Sequence, residues 1–162
     1  MNKFSKALKR ISGKRAKTDA DFEELSKIEW YASLYTHDGK LCIPSEVIEA
    51  TLANSARKMK LGKQAQTTIF VPSNAVLKFD GDNLTIDQLW ERGQNIFTTG
   101  VRIQKSRIMR TRARIDDWSS EIEVVFDDTI LDPTQVKDIV ARAGREVGLC
   151  DWRPRFGRFN VV

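Results

Sequence analysis

Apolar and polar residues alternate along two neighbouring stretches near the middle of the chain, and the alternation predicts a long β-hairpin. The first stretch sets small or apolar side chains against arginines: Met109, Thr111, Ala113 and Ile115 against Arg110, Arg112 and Arg114. The second, 120–127, follows a four-residue loop and alternates apolar residues with glutamates. If Ile115 pairs with Ser120, Ala113 faces Ile122 while Arg112 faces Glu123, so apolar and charged pairs select the same register.

This register leaves two interpretations of the arginines open. Arg112 and Arg114, opposite Glu123 and Glu121, are satisfied as ion pairs on a solvated sheet face. Alternatively, the arginine face is a surface that binds a polyanion.

Periodicity and capping residues predict the remaining elements. A strand over 28–35 is followed by a tight turn at Asp38-Gly39 that places Thr36 opposite Leu41. Ser45 is expected to cap a helix, and Asp132 and Pro133 to begin another that ends before Gly148. The other predicted elements are helix 45–60, strands 67–71 and 75–79, helix 85–92, helix 133–147 and a closing strand over 158–162.

Grouped strands separated by helices favour an α+β fold with an antiparallel sheet and helices on one face. A ferredoxin-like core follows if its strands are 28–35, one of 67–71 and 75–79, 120–127 and 158–162, with the long hairpin as an addition. The predicted domain organisation is a basic N-terminal arm over 1–20 and a single α+β domain over 21–162.

Charge favours a polyanionic partner. The net charge is +5 and the pI about 9.3, and residues 1–18 contain seven lysines and arginines and no acid. The acidic residues over 19–29 could pair with this arm within the molecule. The two cysteines, far apart in sequence, are expected to be reduced thiols. We expect no cofactor, no membrane association and a cytoplasmic location.

The last segment, GLCDWRPRFGRFNVV, crowds arginines among aromatic residues, as backbone contact combined with base stacking requires. The alternative is that Trp152 and Phe156 close the end of the core while the arginines stay in solvent. The candidate nucleic-acid-binding residues are Arg107, Arg110, Arg112, Arg114, Trp152, Arg153, Arg155, Phe156 and Arg158.

The segments VRIQKSRIMRTRARIDDWSSEIEVVF and GLCDWRPRFGRFNVV resemble a group of mostly uncharacterised proteins of tailed phages and prophages. The resemblance covers about the last two-thirds of the chain, and members of the group often have glycine at the position of Cys150. It implies a phage setting and, for a phage-encoded protein, a bacterial host cytoplasm. The helix, basic glycine-containing loop and final strand more loosely resemble the ferredoxin-like RAMP proteins of CRISPR systems, which implies single-stranded RNA binding.

No sequence motif identifies a reaction. His37, the only histidine, is expected to be a turn residue rather than the general base of a RAMP-type ribonuclease. The pairs Asp116-Asp117 and Asp127-Asp128 are expected to form turns rather than a metal site.

Two functions of different classes therefore lead. The first is a phage-type accessory protein that binds single-stranded RNA or DNA through the basic sheet face and the C-terminal loop. The second is a protein-interaction module in virion assembly or host-defence inhibition, whose basic face binds an acidic protein surface. A histidine-dependent nuclease is the third possibility.

Overall fold

The computed structural model describes residues 3–104 and 106–162. The chain forms two compact units: unit 1 comprises Met1–Leu41 and Leu77–Ser119, and unit 2 comprises Cys42–Val76 and Ser120–Val162. The elements in chain order are α1 (Lys3–Ser12), α2 (Asp19–Ala32), β1 (Thr36–His37), β2 (Lys40–Ile43), α3 (Ser45–Lys58), α4 (Gly62–Thr68), β3 (Ala75–Val76), β4 (Lys78–Phe79), α5 (Ile86–Arg92), β5 (Ile96–Ile103), β6 (Ser106–Ala113), β7 (Trp118–Ser119), α6 (Pro133–Arg142) and a π-helical turn (Ala143–Val147). The division into an arm over 1–20 and one domain over 21–162 stays a prediction.

Helices α1 and α2 of unit 1 replace two elements expected from the sequence. Much of the basic arm folds as α1, whose Ile11 is fully buried. The predicted strand 28–35 is wrong, because α2 continues to Ala32. A capping box between Thr18 and Asp21 starts this helix and satisfies its first backbone N–H groups. The short alternation that suggested a strand instead places Trp30 in the core of unit 1.

The core of unit 1 is built around Trp30, Leu41 and Leu89. Leu89 comes from α5, whose capping box and left-handed Gly93 confirm the helix predicted over 85–92. Ile96 and Ala113, at the base of the β5–β6 hairpin, pack against the same cluster.

Strand β6 pairs with β5 rather than with the segment after it. The antiparallel register places Ile96 opposite Ala113 and Arg102 opposite Arg107. The predicted pairing of Ile115 with Ser120 is therefore wrong. A connection of only two residues closes the observed hairpin, and β5 offers β6 eight cross-strand partners. Trp118 and Ser119, expected in the loop, pair instead with β4.

The unit boundary falls within β2. In unit 1, Thr36 lies opposite Leu41 across the Asp38-Gly39 turn, which confirms the predicted register. In unit 2, the end of β2 pairs with β3.

Unit 2 packs α3, α4, α6 and the π-helical turn around buried residues that include Leu52, Ala56 and Ile139. The hydroxyl of Ser55 donates to the carbonyl of Ile139 at 2.8 Å and ties α3 to α6. The predicted helices 45–60 and 133–147 are confirmed, although Pro44 rather than Ser45 is the cap residue of α3.

Three strands predicted in unit 2 are wrong or much shortened. Residues up to Thr68 belong to α4, and a single bridge between Phe70 and Val125 is all that remains of the strands 67–71 and 120–127. Residues 158–162 form no strand. Here the Phe159 N–H donates instead to the carbonyl of Gly144 in the π-helical turn.

The molecule is thus an α+β protein with small antiparallel sheets, as predicted at that level. The ferredoxin-like arrangement is not confirmed, because 28–35 is largely helical and 158–162 is irregular. Within the described ranges, no helix combines the length and the apolar character needed to cross a bilayer.

Candidate nucleic-acid interface

The outer edge of β6 is covered by side chains of α2 and of its C-cap residue. The buried carboxylate of Glu29 accepts hydrogen bonds from the Arg110 guanidinium and, at 2.9 Å, from the Thr111 backbone N–H. Just after the end of α2, the hydroxyl of the C-cap residue Ser33 accepts from the Ala113 N–H at 3.0 Å. Arg110 therefore neutralises a buried charge and helps to hold the hairpin on the helix.

The next two candidate arginines surround Phe97. Arg112 lies directly opposite it in the β-ladder, and the guanidinium carbon of Arg114 lies 4.8 Å from the ring centroid. Arg114 also pairs with Asp116 at 2.9 Å, and Arg112 donates to the carbonyl of Thr111. The register that predicted ion pairs of Arg112 with Glu123 and of Arg114 with Glu121 is wrong, because β6 pairs with β5 instead.

Arg107 lies near the hairpin tip, exposed to solvent and opposite Arg102. Its side chain crosses Gly100, where an added Cβ would come within 2.7 Å of the Arg107 Nε. A side chain at position 100 would therefore displace this arginine.

We use "C-terminal loop" for residues 148–158. The Leu149 N–H donates to the Gly157 carbonyl at 2.8 Å, and this bond closes the loop. A Cβ at Gly157 would lie 2.1 Å from the Leu149 carbonyl oxygen, and one at Gly144 would lie 2.1 Å from that of Phe159. Glycine is thus required at both positions for the loop to close on itself and on the π-helical turn.

Two aromatic rings and three arginines make up the outer part of the C-terminal loop. Trp152 and Phe156 meet edge to face at 5.5 Å between ring centroids, and Trp152 remains 43% exposed. The Arg155 guanidinium lies 5.9 Å from the Phe156 ring. Arg153 donates to the carbonyl of Cys150, and Arg158 to that of Pro154. In the part of the chain that the structure describes, none of these arginines forms an ion pair with a carboxylate.

The nine predicted site residues thus fall into two groups. Those from Arg107 to Arg114 belong to unit 1, and those from Trp152 to Arg158 belong to unit 2. Neither Trp152, which is exposed, nor Phe156, which is half-buried, is among the fully buried residues of unit 2. That these rings close the end of the core stays a prediction.

Sequence reasoning missed Glu29 and Phe97, which determine what the hairpin arginines contact. The spacing of Thr18 and Asp21 is a capping-box signal from which a helix that includes Glu29 could have been predicted. Gly93 and Gly100 flank Phe97 and indicate a loop by composition alone, whereas the segment forms β5.

Unit 1 also contains an open groove of about 480 Å³. Its lining residues are Phe4, Lys27, Ile28, Tyr31, Asp87, Trp90 and Glu91. Tyr31 donates a hydrogen bond to Asp87. Burial and this carboxylate raise the pKa of Tyr31 to about 12, so its hydroxyl stays protonated at neutral pH.

The residues considered for catalysis have ordinary structural roles. His37 is exposed at the end of β1, beside the turn, with its Nε2 3.6 Å from the Asp38 carboxylate. Asp116 pairs with Arg114, while hydrogen bonds from Thr129 lower the pKa of Asp127. Among the described residues, no three histidine, cysteine, aspartate or glutamate side chains are grouped to hold a metal ion.

Comparisons of the chain with protein-family models, curated proteins and solved structures found no match.

Proposed function

We propose that this protein binds single-stranded nucleic acid, RNA or DNA, and that the C-terminal loop is its principal contact surface. The observation that carries the proposal is that the arginines of this loop are exposed and lack carboxylate partners among the described residues. Arg153, Arg155 and Arg158 are exposed and contact carbonyls or an aromatic ring rather than carboxylates. Trp152 belongs to the same loop and is partly exposed.

Each part of this surface suits a different part of a polynucleotide. Exposed guanidiniums bind phosphates through paired N–H groups, and because no carboxylate must be displaced first, their charge is available to the ligand. The indole of Trp152 offers a face on which a base can stack, with a contribution of about 1–3 kcal/mol per base. Stacking and phosphate contact together favour single strands, whose bases are accessible.

Hairpin residues contribute less in this proposal. Arg112 is exposed and adjoins Phe97, so it can extend the basic surface of unit 1. Arg110 is committed to Glu29 and is assigned a structural role.

The setting proposed for this activity is that of a phage or prophage accessory protein. It rests on the resemblance of the C-terminal segment. No reaction is proposed, since no sequence motif identifies one.

A protein-interaction role has one observation in its favour. Phe70 and Val125 form the single bridge between their segments in unit 2, yet their side chains are 58% and 47% exposed. Neighbouring exposed apolar residues often mark contacts with other proteins. If this role is the correct one, Phe70→Ser should abolish capture of the protein partner and leave nucleic-acid affinity unchanged.

Nucleic-acid binding is tested by fluorescence anisotropy with labelled 20-nucleotide single strands over a range of salt concentrations. Trp152→Ala should weaken binding by about 1–3 kcal/mol and leave the salt dependence unchanged. Arg155→Ala should reduce the slope of log affinity against log salt by about 0.7, the value for one phosphate contact on a single strand.

Lys137→Ala is the matched control, because it removes one exposed positive charge from unit 2 outside the C-terminal loop. It should change affinity less than Arg155→Ala does. Absence of binding by the wild-type protein at low salt, to RNA and to DNA, would refute the proposal. So would a loss of binding in Trp152→Ala that is matched by a loss of melting temperature.

A further inference from the structure

The distal half of the β5–β6 hairpin has a surface whose composition differs from that of its base. Strand register puts Gly100, Arg102, Arg107 and Met109 on one face, because Gly100 lies opposite Met109 and Arg102 opposite Arg107. Met109 is 60% exposed, although methionine is usually buried. This face therefore combines an exposed apolar side chain with two arginines.

We propose that this face of the hairpin enters the major groove of duplex DNA. In that position Arg102 and Arg107 contact phosphates or guanine edges, and Met109 contacts the apolar methyl groups of thymine. This is an activity beyond single-strand binding by the C-terminal loop, and it rests on residues of unit 1 alone.

The dimensions of the hairpin fit such a groove. A two-stranded β-ribbon is among the elements that the B-DNA major groove, roughly 12 Å wide and 8.5 Å deep, admits. The six residues from Thr98 to Ile103 span about 20 Å at roughly 3.3 Å per residue, which is more than the depth of the groove. Duplex RNA is not the expected ligand, because the major groove of A-form RNA is too deep and narrow for side chains to read.

Charge on the hairpin favours the same partner. The segment 96–113 contains arginines at 102, 107, 110 and 112 and neither aspartate nor glutamate. Arg102 donates to the carbonyl of Gln104 at the tip, and the side chain of Arg107 lies across Gly100, so both guanidiniums lie on the distal half of the hairpin. Of these arginines, Arg110 is paired with Glu29, and it lies nearer the base of the hairpin.

Gly100 has a specific role in this arrangement. Since a Cβ there would meet the Arg107 Nε at 2.7 Å, the glycine lets the arginine lie flat across the ribbon. A flat side chain keeps the ribbon thin enough to enter a groove. Gly100→Val is therefore expected to weaken duplex binding although it removes no charge.

The test measures binding of the full chain to a labelled 20-base-pair DNA duplex, an RNA duplex of the same sequence, and the single DNA strand. Arg102→Ala/Arg107→Ala should weaken DNA-duplex binding at least tenfold. It should also lower the slope of log affinity against log salt by about 1.8, at roughly 0.9 per phosphate contact. Met109→Ala should weaken duplex binding about fivefold with the slope unchanged.

Lys27→Ala/Lys40→Ala is the matched control, because it removes two exposed positive charges from unit 1 away from the hairpin. It should weaken duplex binding less than threefold. Methyl green, which occupies the major groove, should displace the protein, whereas netropsin, which occupies the minor groove, should not. Circular dichroism and melting temperature should be unchanged in all these variants, since the altered side chains lie outside the core cluster of unit 1.

Several results would overturn the inference: a double variant that binds the duplex like the wild type, equal affinity for duplex RNA and DNA, or displacement by netropsin alone. If duplex binding depends on Arg155 and Trp152 but not on the hairpin, the inference fails and single-strand binding by the loop stands. If duplex binding needs Arg102 and Arg107 while single-strand binding ignores the loop variants, the inference stands and the proposed function fails.

Discussion

In unit 1 the guanidinium of Arg110 pairs with the buried carboxylate of Glu29, whereas in unit 2 that of Arg155 lies against the ring of Phe156. Both residues belong to basic segments that look alike in the sequence. Their partners differ: one arginine balances a charge inside the protein, and the other keeps its charge for the solvent or a ligand. Whether an arginine stabilises the fold or binds a ligand is therefore decided by what lies within reach of it.

The strongest test of this contrast is to remove each arginine in turn. Arg110→Met should destabilise the protein by about 3 kcal/mol, because it leaves the Glu29 carboxylate buried without its cation. The value is at the lower end for a broken buried pair because a third of the Arg110 side chain, 34%, is exposed. Denaturant unfolding measures the loss.

Arg155→Met should leave stability within about 0.5 kcal/mol of wild type, as surface substitutions usually do. The double variant Glu29→Met/Arg110→Met should recover much of what Arg110→Met loses, because no unpaired charge remains. Equal destabilisation by Arg110→Met and Arg155→Met would remove the distinction between the two arginines.

Two glycines with the same backbone angle test how far the C-terminal loop depends on close packing. Gly157 and Gly93 both have φ of 74°, but an added Cβ meets a carbonyl oxygen 2.1 Å away at Gly157 and nothing within 4 Å at Gly93. Gly93→Ala should cost only the left-handed strain of about 1–2 kcal/mol. Gly157→Ala should cost more than about 2 kcal/mol and weaken single-strand binding. Thermal melts and anisotropy distinguish these outcomes, and identical effects would show that the loop tolerates the extra atom.

A substitution of Cys150, in the same loop, should change stability less than those above and in the opposite direction. Its φ of 64° lies in the left-handed region, where a side chain costs about 1–2 kcal/mol and glycine is unstrained. Glycine also carries an entropic cost of roughly 0.5–1 kcal/mol, so Cys150→Gly should stabilise the protein by about 0.5 kcal/mol. Cys150→Ala keeps the strain and is the control. A Cys150→Gly variant less stable than Cys150→Ala would show that the side chain makes a contact of its own.

Acid should affect the ion pairs of unit 1 and spare the arginines of the C-terminal loop. The ammonium of Lys14, 2.5 Å away, and the N–H of Thr18 lower the pKa of Asp21 from 3.8 to about 2. Because the folded state has the lower pKa, the stabilisation is fully present above about pH 3.8 and is lost as the pH falls towards 2.

Lys14→Gln should therefore raise the pKa of Asp21, as followed by NMR of its carboxyl carbon. Lys9→Gln, which also removes one charge from the basic segment, should not. An unchanged Asp21 pKa in Lys14→Gln would contradict the assigned cause.

Helices predicted from local signals agree with the structure. The cap at Asp132 and the box from Thr85 to Gln88 satisfy backbone N–H groups within a few residues, so their geometry depends little on the rest of the chain. The acidic residues expected to pair with the basic arm also do so, in the ion pairs of Arg10 with Glu24 and Lys14 with Asp21.

Strand pairing could not be predicted in the same way, because it is a choice between distant partners. The segment 120–127 offered β6 matching charges, yet β5 takes that place through a shorter connection and a longer ladder. The other edge of β6 is occupied by Glu29, a residue 81 positions before Arg110. For the candidate site, the basic and aromatic residues could be identified from the composition. Which of the arginines pair with carboxylates could not.

The closure of β6 by Glu29 and Ser33 also bears on solubility. A bare strand edge presents unpaired N–H and C=O groups that can recruit a strand from another molecule, which is a common beginning of aggregation. Here Glu29 and Ser33 accept hydrogen bonds from the N–H groups of Thr111 and Ala113, so that part of the edge cannot act as a template. A substitution at Glu29 would expose this edge as well as unpair a charge, and aggregation from β6 and loss of stability in unit 1 would then have the same origin.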